Sequence, residues 1–195
     1  VEMNWRAIDA GFDAYHKVEV PADWANAVDE ASDVQLTGNA DTVKMVKNIM
    51  EPVAKMDGDS LPVSAFVDYV DGQFAQGAAA YEKRGVAVMV PEWNPDNCIQ
   101  CNQCAYVCPH ATIRPFALTD EEVANAPEAL KSKKMTGKGC ENYKFAMTVS
   151  PLDCMGCGVC VNVCPAPTKA LTMVPQESQA AQQDVFNYCV ENIRK

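Results

Sequence analysis

Cys98-Ile99-Gln100-Cys101-Asn102-Gln103-Cys104-Ala105-Tyr106-Val107-Cys108-Pro109 returns 56 residues later as Cys154-Met155-Gly156-Cys157-Gly158-Val159-Cys160-Val161-Asn162-Val163-Cys164-Pro165. Both runs read C-x-x-C-x-x-C-x-x-x-C-P. Two-residue gaps let a tight loop curl round one centre, bringing three thiolates together while backbone N–H groups point at the sulfurs. The three-residue gap carries the fourth thiolate away. The proline after it stops a helix, because it has no N–H and disfavours helical geometry in the residue before it. Small residues suit such a loop: the second run has Gly156 and Gly158, whereas the first has Gln100 and Asn102. Eight of the ten cysteines fall in these runs, in a chain without a secretion signal, so metal ligation is a better reading than disulfides.

Working outward, Val86–Val90 is a β-branched run between Gly85 and Pro91 and predicts a strand. Tyr143–Val149 is its counterpart before the second run, and Ala170–Val174 predicts a further strand after it. The unit is strand, cysteine loop, strand, used twice. Between the copies lies a 45-residue connection, residues 109 to 153, with a predicted helix over Asp120–Leu130. Gln176–Ile193 predicts a C-terminal helix. Towards the other end, helices are predicted over Trp5–Tyr15, Asp23–Ala31 and Asp41–Met50. A turn-rich loop over Met56–Ser60 leads to Pro62. The class is α+β.

The 195 residues carry a net charge of −10, and the acidity is uneven. Residues 1–92 hold 7 Lys and Arg against 16 Asp and Glu, and residues 93–195 hold 9 against 10. Nucleic acid is excluded as a partner by the missing basic field. No apolar stretch nears the roughly 20 residues that span a bilayer, and no signal peptide is evident, so a soluble cytoplasmic protein without a membrane partner is expected. The chain begins at Val1 in what reads as mid-helix, as a segment of a longer polypeptide would.

The two runs resemble those of bacterial-type two-cluster ferredoxins, over roughly residues 93 to 174. That resemblance implies two [4Fe–4S] clusters with crossed ligation: Cys98, Cys101, Cys104 and Cys164 on one, Cys154, Cys157, Cys160 and Cys108 on the other. Crossing would close two long loops, each restricting the unfolded chain by roughly 3 to 5 kcal/mol. The cluster-free C-terminal half is therefore predicted to be unfolded or molten. Structural zinc also uses C-x-x-C pairs, but two complete runs with equal gaps and equal trailing prolines favour iron and sulfide.

The whole chain is similar to something narrower. Val20–Ala27, Asp59–Ser64, and Glu82-Lys83-Arg84-Gly85 followed by Val90–Trp93 resemble the EKR and ferredoxin domains of the pyruvate:ferredoxin (flavodoxin) oxidoreductase family. The resemblance implies the tail of a gamma-type domain over 1–20, a small mixed α/β EKR-type domain over 21–92, and a ferredoxin-like domain with a long insertion over 93–195. It also implies a homo-oligomeric parent enzyme with thiamine diphosphate, Mg and a third [4Fe–4S] cluster outside this chain. Single electrons would pass to an external ferredoxin or flavodoxin. The competing reading is a ferredoxin-like carrier subunit of another 2-oxoacid or anaerobic oxidoreductase. The acidic front half, which a free ferredoxin does not need, counts against it. Clusters serving only structure or redox sensing are a third reading.

The remaining candidates have plain readings. Cys189 shares a helical face with Val185, Phe186 and Ile193 and is expected in the core, and Cys140 is expected to be a free thiol. His110 follows Pro109 and is expected at the surface, with tuning of a cluster as the alternative. His16 has no companion ligands. Glu82-Lys83-Arg84 reads as a solvated helix end. Lys131, Lys133, Lys134 and Lys138 read as a solvated loop, or else as a basic patch that steers an acidic acceptor.

Overall fold

The computed structural model describes residues 1–28 and 36–193 and divides the chain into two compact units, 1–39 and 40–195. In the first unit α1 covers Glu2–Asp13 and buries none of its residues, so Trp5, Ile8 and Phe12 all lie exposed on the predicted amphipathic helix. The predicted Asp23–Ala31 helix is a short 3-10 turn over Ala22–Asn26, after which Ala27 is extended. Its last three residues lie outside the described part.

The second unit opens with α2 (Ala40–Met45), a π-helical turn (Val46–Met50) and α3 (Glu51–Ala54) in unbroken succession. Pro52 explains the widened turn: it cannot donate to the turn before it, and the Glu51 N–H reaches five residues back to the Val46 carbonyl. Met45, Val46 and Ile49 are buried, as the predicted face requires.

The repeat then begins. β1 is Met89–Trp93, followed by the first cysteine loop, α4 (Gln103–Tyr106) and β2 (Ile113–Leu118). The connection supplies α5 (Asp120–Ala124) and β3 (Lys133–Lys134). The second copy runs β4 (Lys144–Val149), cysteine loop, α6 (Val159–Val163) and β5 (Leu171–Pro175), and α7 (Gln182–Asn192) closes the chain.

Pairing exchanges the copies. β1 pairs antiparallel with β5, Trp93 opposite Leu171, and β2 pairs antiparallel with β4, Ile113 opposite Val149, with β3 on the far edge of β4. Pro91 and Pro115 are tolerated because β1 and β2 are edge strands.

Three predicted elements move. The first strand begins at Met89 rather than Val86, because β5 ends opposite Met89 and residues 85–88 are tied elsewhere: the Gly85 N–H donates to the Leu152 carbonyl and the Gln176 N–H to that of Val88. The Asp120 helix keeps a capping box between Thr119 and Glu122 but stops at Ala124, since Pro127 disfavours helix in the residue before it. The C-terminal helix starts at Gln182, after a separate 3-10 turn over Gln176–Gln179.

Trp93, Ile113, Phe145, Met147, Val149 and Leu171 form the central core, with Trp93 and Phe145 edge to face at 6.0 Å. Cys98, Cys104, Cys108 and Cys164 pack against its rim, which places both cysteine loops on one apolar floor. Leu118, Ala146, Cys189 and Ile193 make a second cluster that seats α7 on the sheet. Among the described residues no helix is long and apolar enough to cross a membrane.

Candidate metal centres

Each cysteine loop turns through two left-handed residues at matching places. Gly156 and Gly158 have φ of 68° and 72°, and Gln100 and Asn102, their counterparts, have φ of 59° and 61°. Asn enters this region readily, but Gln does not. Gln100 is held there from the connection: its Nε2 donates to the Lys134 carbonyl at 2.8 Å, and its Oε1 accepts from the Thr136 N–H at 2.9 Å and hydroxyl at 3.1 Å. The connection thus fastens the loop that lacks glycine.

The turns bring the predicted ligands together. One hollow, about 320 Å³ with its open mouth included, is lined by Cys98, Cys101, Cys104 and Cys164 over Trp93, Met147 and Leu171. The other, about 390 Å³, is lined by Cys108, Cys154, Cys157 and Cys160 over Ile113 and Met173. Each takes three thiols from one run and the last thiol from the other. Among the described residues no three Cys, His, Asp or Glu converge on a point that would hold a single ion. Thiols spread round an apolar hollow suit a cluster of several atoms better than one zinc.

Hydrogen bonds to sulfur repeat in part. The Gln100 N–H donates to Cys98 Sγ and the Gly156 N–H to Cys154 Sγ, both at 3.4 Å. Cys108 Sγ accepts the Thr112 N–H at 3.3 Å and lies 3.4 Å from the Thr112 hydroxyl. Sequence reasoning passed over Thr112, although the repeat marks the place: Thr168 stands at the same offset from Cys164.

Burial pushes the Cys104 thiol up to about 12 and Cys160 up to about 11, and raises Cys154 as well. At Cys108 burial also acts upward, but donors from Thr112, His110 and Ile113 outweigh it and lower the pKa. These shifts follow the usual opposition of desolvation and hydrogen bonding to the thiolate.

His110 is exposed and lines the second hollow beside Cys108. His16 is exposed in the first unit. Cys140 is half-buried and lines neither hollow. Cys189 is fully buried in α7, and burial pushes its thiol up to about 11. The four lysines differ in their surroundings. Lys131 pairs with Glu92 at 2.9 Å, and Lys133 Nζ donates to the carbonyls of Pro95 at 2.6 Å and Cys98 at 2.9 Å, while Lys134 and Lys138 are exposed. Glu82 and Arg84 pair with each other at the surface, but Lys83 reaches Asp153.

Comparison with known proteins covers nearly the whole chain. Residues 29–87 match the EKR family, described as a domain of unknown function, and residues 97–167 match a 4Fe-4S double cluster binding domain. The pyruvate:ferredoxin oxidoreductase of Moorella thermoacetica is 46% identical over 96% of this chain, and the pyruvate-flavodoxin oxidoreductase of Klebsiella pneumoniae is 45% identical over 97%. The mitochondrial pyruvate dehydrogenase [NADP(+)] of Euglena gracilis is 46% identical over 85%. The chain spans 16% of the length of the first two and 9% of the third. It is thus an EKR domain joined to a domain that binds two [4Fe–4S] clusters, and it belongs with the matching portion of the pyruvate:ferredoxin and pyruvate-flavodoxin oxidoreductases.

Proposed function

We propose that this chain relays single electrons within a pyruvate:ferredoxin (flavodoxin) oxidoreductase. In this reading the thiamine diphosphate, Mg and third-cluster sites lie elsewhere in the polypeptide, and an external ferredoxin or flavodoxin takes the electrons away. Cys98, Cys101, Cys104 and Cys164 hold one cluster, and Cys154, Cys157, Cys160 and Cys108 hold the other. The observation that supports this best is the lining of each hollow by three cysteines of one run and the last of the other. Residues 1–20 are then the end of a gamma-type domain, 21–92 the EKR-type domain and 93–195 the ferredoxin-like domain. The parent is a cytoplasmic homo-oligomer.

A [4Fe–4S] cluster, when bound, supplies reversible one-electron chemistry at a potential set by its surroundings. The residues of this chain supply those surroundings. Burial holds protons on Cys104 and Cys160, which would have to be released for these thiols to hold a cluster. N–H groups of Gln100, Gly156 and Thr112 point at ligand sulfurs and oppose the negative charge that an added electron brings. Trp93, Ile113, Met147 and Leu171 wall the hollows with apolar surface, which keeps water out and strengthens those dipoles.

Purification of the chain without oxygen, with iron and sulfide assay and EPR of the reduced protein, tests the reading. Two four-iron clusters' worth of both elements and two interacting spectra are expected, with electron exchange but no acetyl-CoA formed from pyruvate and coenzyme A. Zinc alone, or a single cluster, sinks it.

A further inference from the structure

The EKR triplet reads as a charged surface helix end, yet its lysine is engaged by a carboxylate 70 residues away. The side chains of Lys83 and Asp153 are only 26% and 22% exposed and form an ion pair, and Asp153 also accepts the Ser150 hydroxyl at 2.7 Å. Asp153 directly precedes Cys154. The neighbouring residues follow the same course. The Gly85 N–H donates to the Leu152 carbonyl at 2.9 Å, Ala87 and Val90 form a small buried core with Cys154, and Gly156 lies so close to Met89 that an added Cβ would stand 2.9 Å from its carbonyl oxygen. Residues 83–90 are a strap along the loop 152–156.

The repeat shows why the strap carries a charge. Opposite Asp153, at the offset of 56, the first loop has Asn97, which is neutral and donates to the Lys169 carbonyl. Only the second loop places a carboxylate next to its leading cysteine. Negative charge beside an iron–sulfur cluster disfavours the added electron, and net charge and hydrogen bonding are among the factors that set cluster potentials.

We infer that Lys83 is a positioning and charge-balancing residue for the centre lined by Cys108, Cys154, Cys157 and Cys160, pinning Asp153 and cancelling its charge so that this centre's potential is held above the value an unpaired Asp153 would give it. The inference rests on the crossed reading of the ligands. It gives the EKR segment a definite part: a strap along the loop that carries Cys154, and the counter-charge to Asp153.

The test is an anaerobic redox titration of the cluster-loaded protein, followed by EPR, for Lys83→Gln, Asp153→Asn, the double variant, Lys83→Arg and Thr112→Val. Lys83→Gln should lower one potential only, by up to a tenfold change in the reduction equilibrium, which is about 59 mV for one electron. Asp153→Asn should raise that same potential, the double variant should fall back near the unaltered protein, and Lys83→Arg should leave it in place. Thr112→Val, which removes the hydroxyl beside Cys108 Sγ, should lower the same one and so mark which centre responds. A purely mechanical clasp predicts shifts of one sign for Lys83→Gln and Asp153→Asn, or no shift. Either result overturns the inference, as does a shift confined to the potential that Thr112→Val leaves alone. If Lys83→Gln fails to assemble, Asp153→Asn and Lys83→Arg carry the same decision. Failure of the two-cluster reading itself shows separately, as unaltered protein lacking two clusters' worth of iron and sulfide.

Discussion

Gln100 and Gly156 occupy one and the same left-handed backbone position in the two cysteine loops, at φ of 59° and 68°. Glycine is at ease there and glutamine is not, so the first loop depends on the three hydrogen bonds that Gln100 makes with Lys134 and Thr136. Gln100→Ala should therefore destabilise the cluster-loaded protein by about 1–2 kcal/mol, while Gln100→Gly, which relieves the strain as it loses the clasp, should cost less. Denaturant unfolding under anaerobic conditions measures both, and equal losses would contradict the account.

Gly156 and Gly158 separate strain from space. Both have positive φ, but a Cβ at Gly156 meets the Met89 carbonyl oxygen at 2.9 Å and Ala87 Cβ at 3.3 Å, whereas at Gly158 nothing lies within 4 Å. Gly158→Ala should cost about 1 kcal/mol and Gly156→Ala about 2–4 kcal/mol. The difference should also appear as faster loss of iron from Gly156→Ala, followed by the decay of its brown absorbance.

Cys189 ties stability to alkaline pH. It is fully buried, and burial raises its thiol from the ordinary 9.0 to about 11. A raised folded pKa means that its contribution is whole below pH 9, where both states are protonated, and is lost as pH climbs towards 11, where only the unfolded thiol ionises. The loss should be on the order of 2 kcal/mol. Cys189→Ala should be less stable at neutral pH, because of the cavity it leaves, yet fall less steeply between pH 9 and 11. Parallel slopes in denaturant titrations would contradict this.

Removal of iron should undo the C-terminal half. Cys98, Cys104, Cys108 and Cys164 pack along the rim of the core and Cys160 within it, so the core is built partly from residues that would hold metal. Protein stripped by chelator should lose its cooperative transition in far-UV circular dichroism. A surviving native-like transition would mean that β1–β5 and β2–β4 hold without metal.

The cysteine loops were legible in the sequence because thiolate spacing and a trailing proline are local facts, and the structure lines each hollow with the four cysteines that the resemblance implied. Three of the flanking strands, β1, β4 and β5, were legible within a few residues, whereas no range was predicted for β2. What escaped depended on distant partners. Nothing near Lys83 announces Asp153, nothing near Lys133 announces the carbonyls of Pro95 and Cys98, and the start of β1 is fixed by the end of β5. Charge is visible in a sequence, while the ion pair of Lys131 and the carbonyl partners of Lys133 are not. Gln100 was noticed as a missing glycine, but its compensation lay in the connection, whose unusual length is partly explained by that clasp.

The exchange of strands between the copies bears on biosynthesis. β1 leaves the ribosome well before its ladder partner β5, and the first loop's remaining thiol neighbour, Cys164, emerges 60 residues after Cys104. Until then the nascent first loop presents three bare sulfurs without a lid. With crossed ligation the first centre cannot be completed until the second cysteine loop has been made.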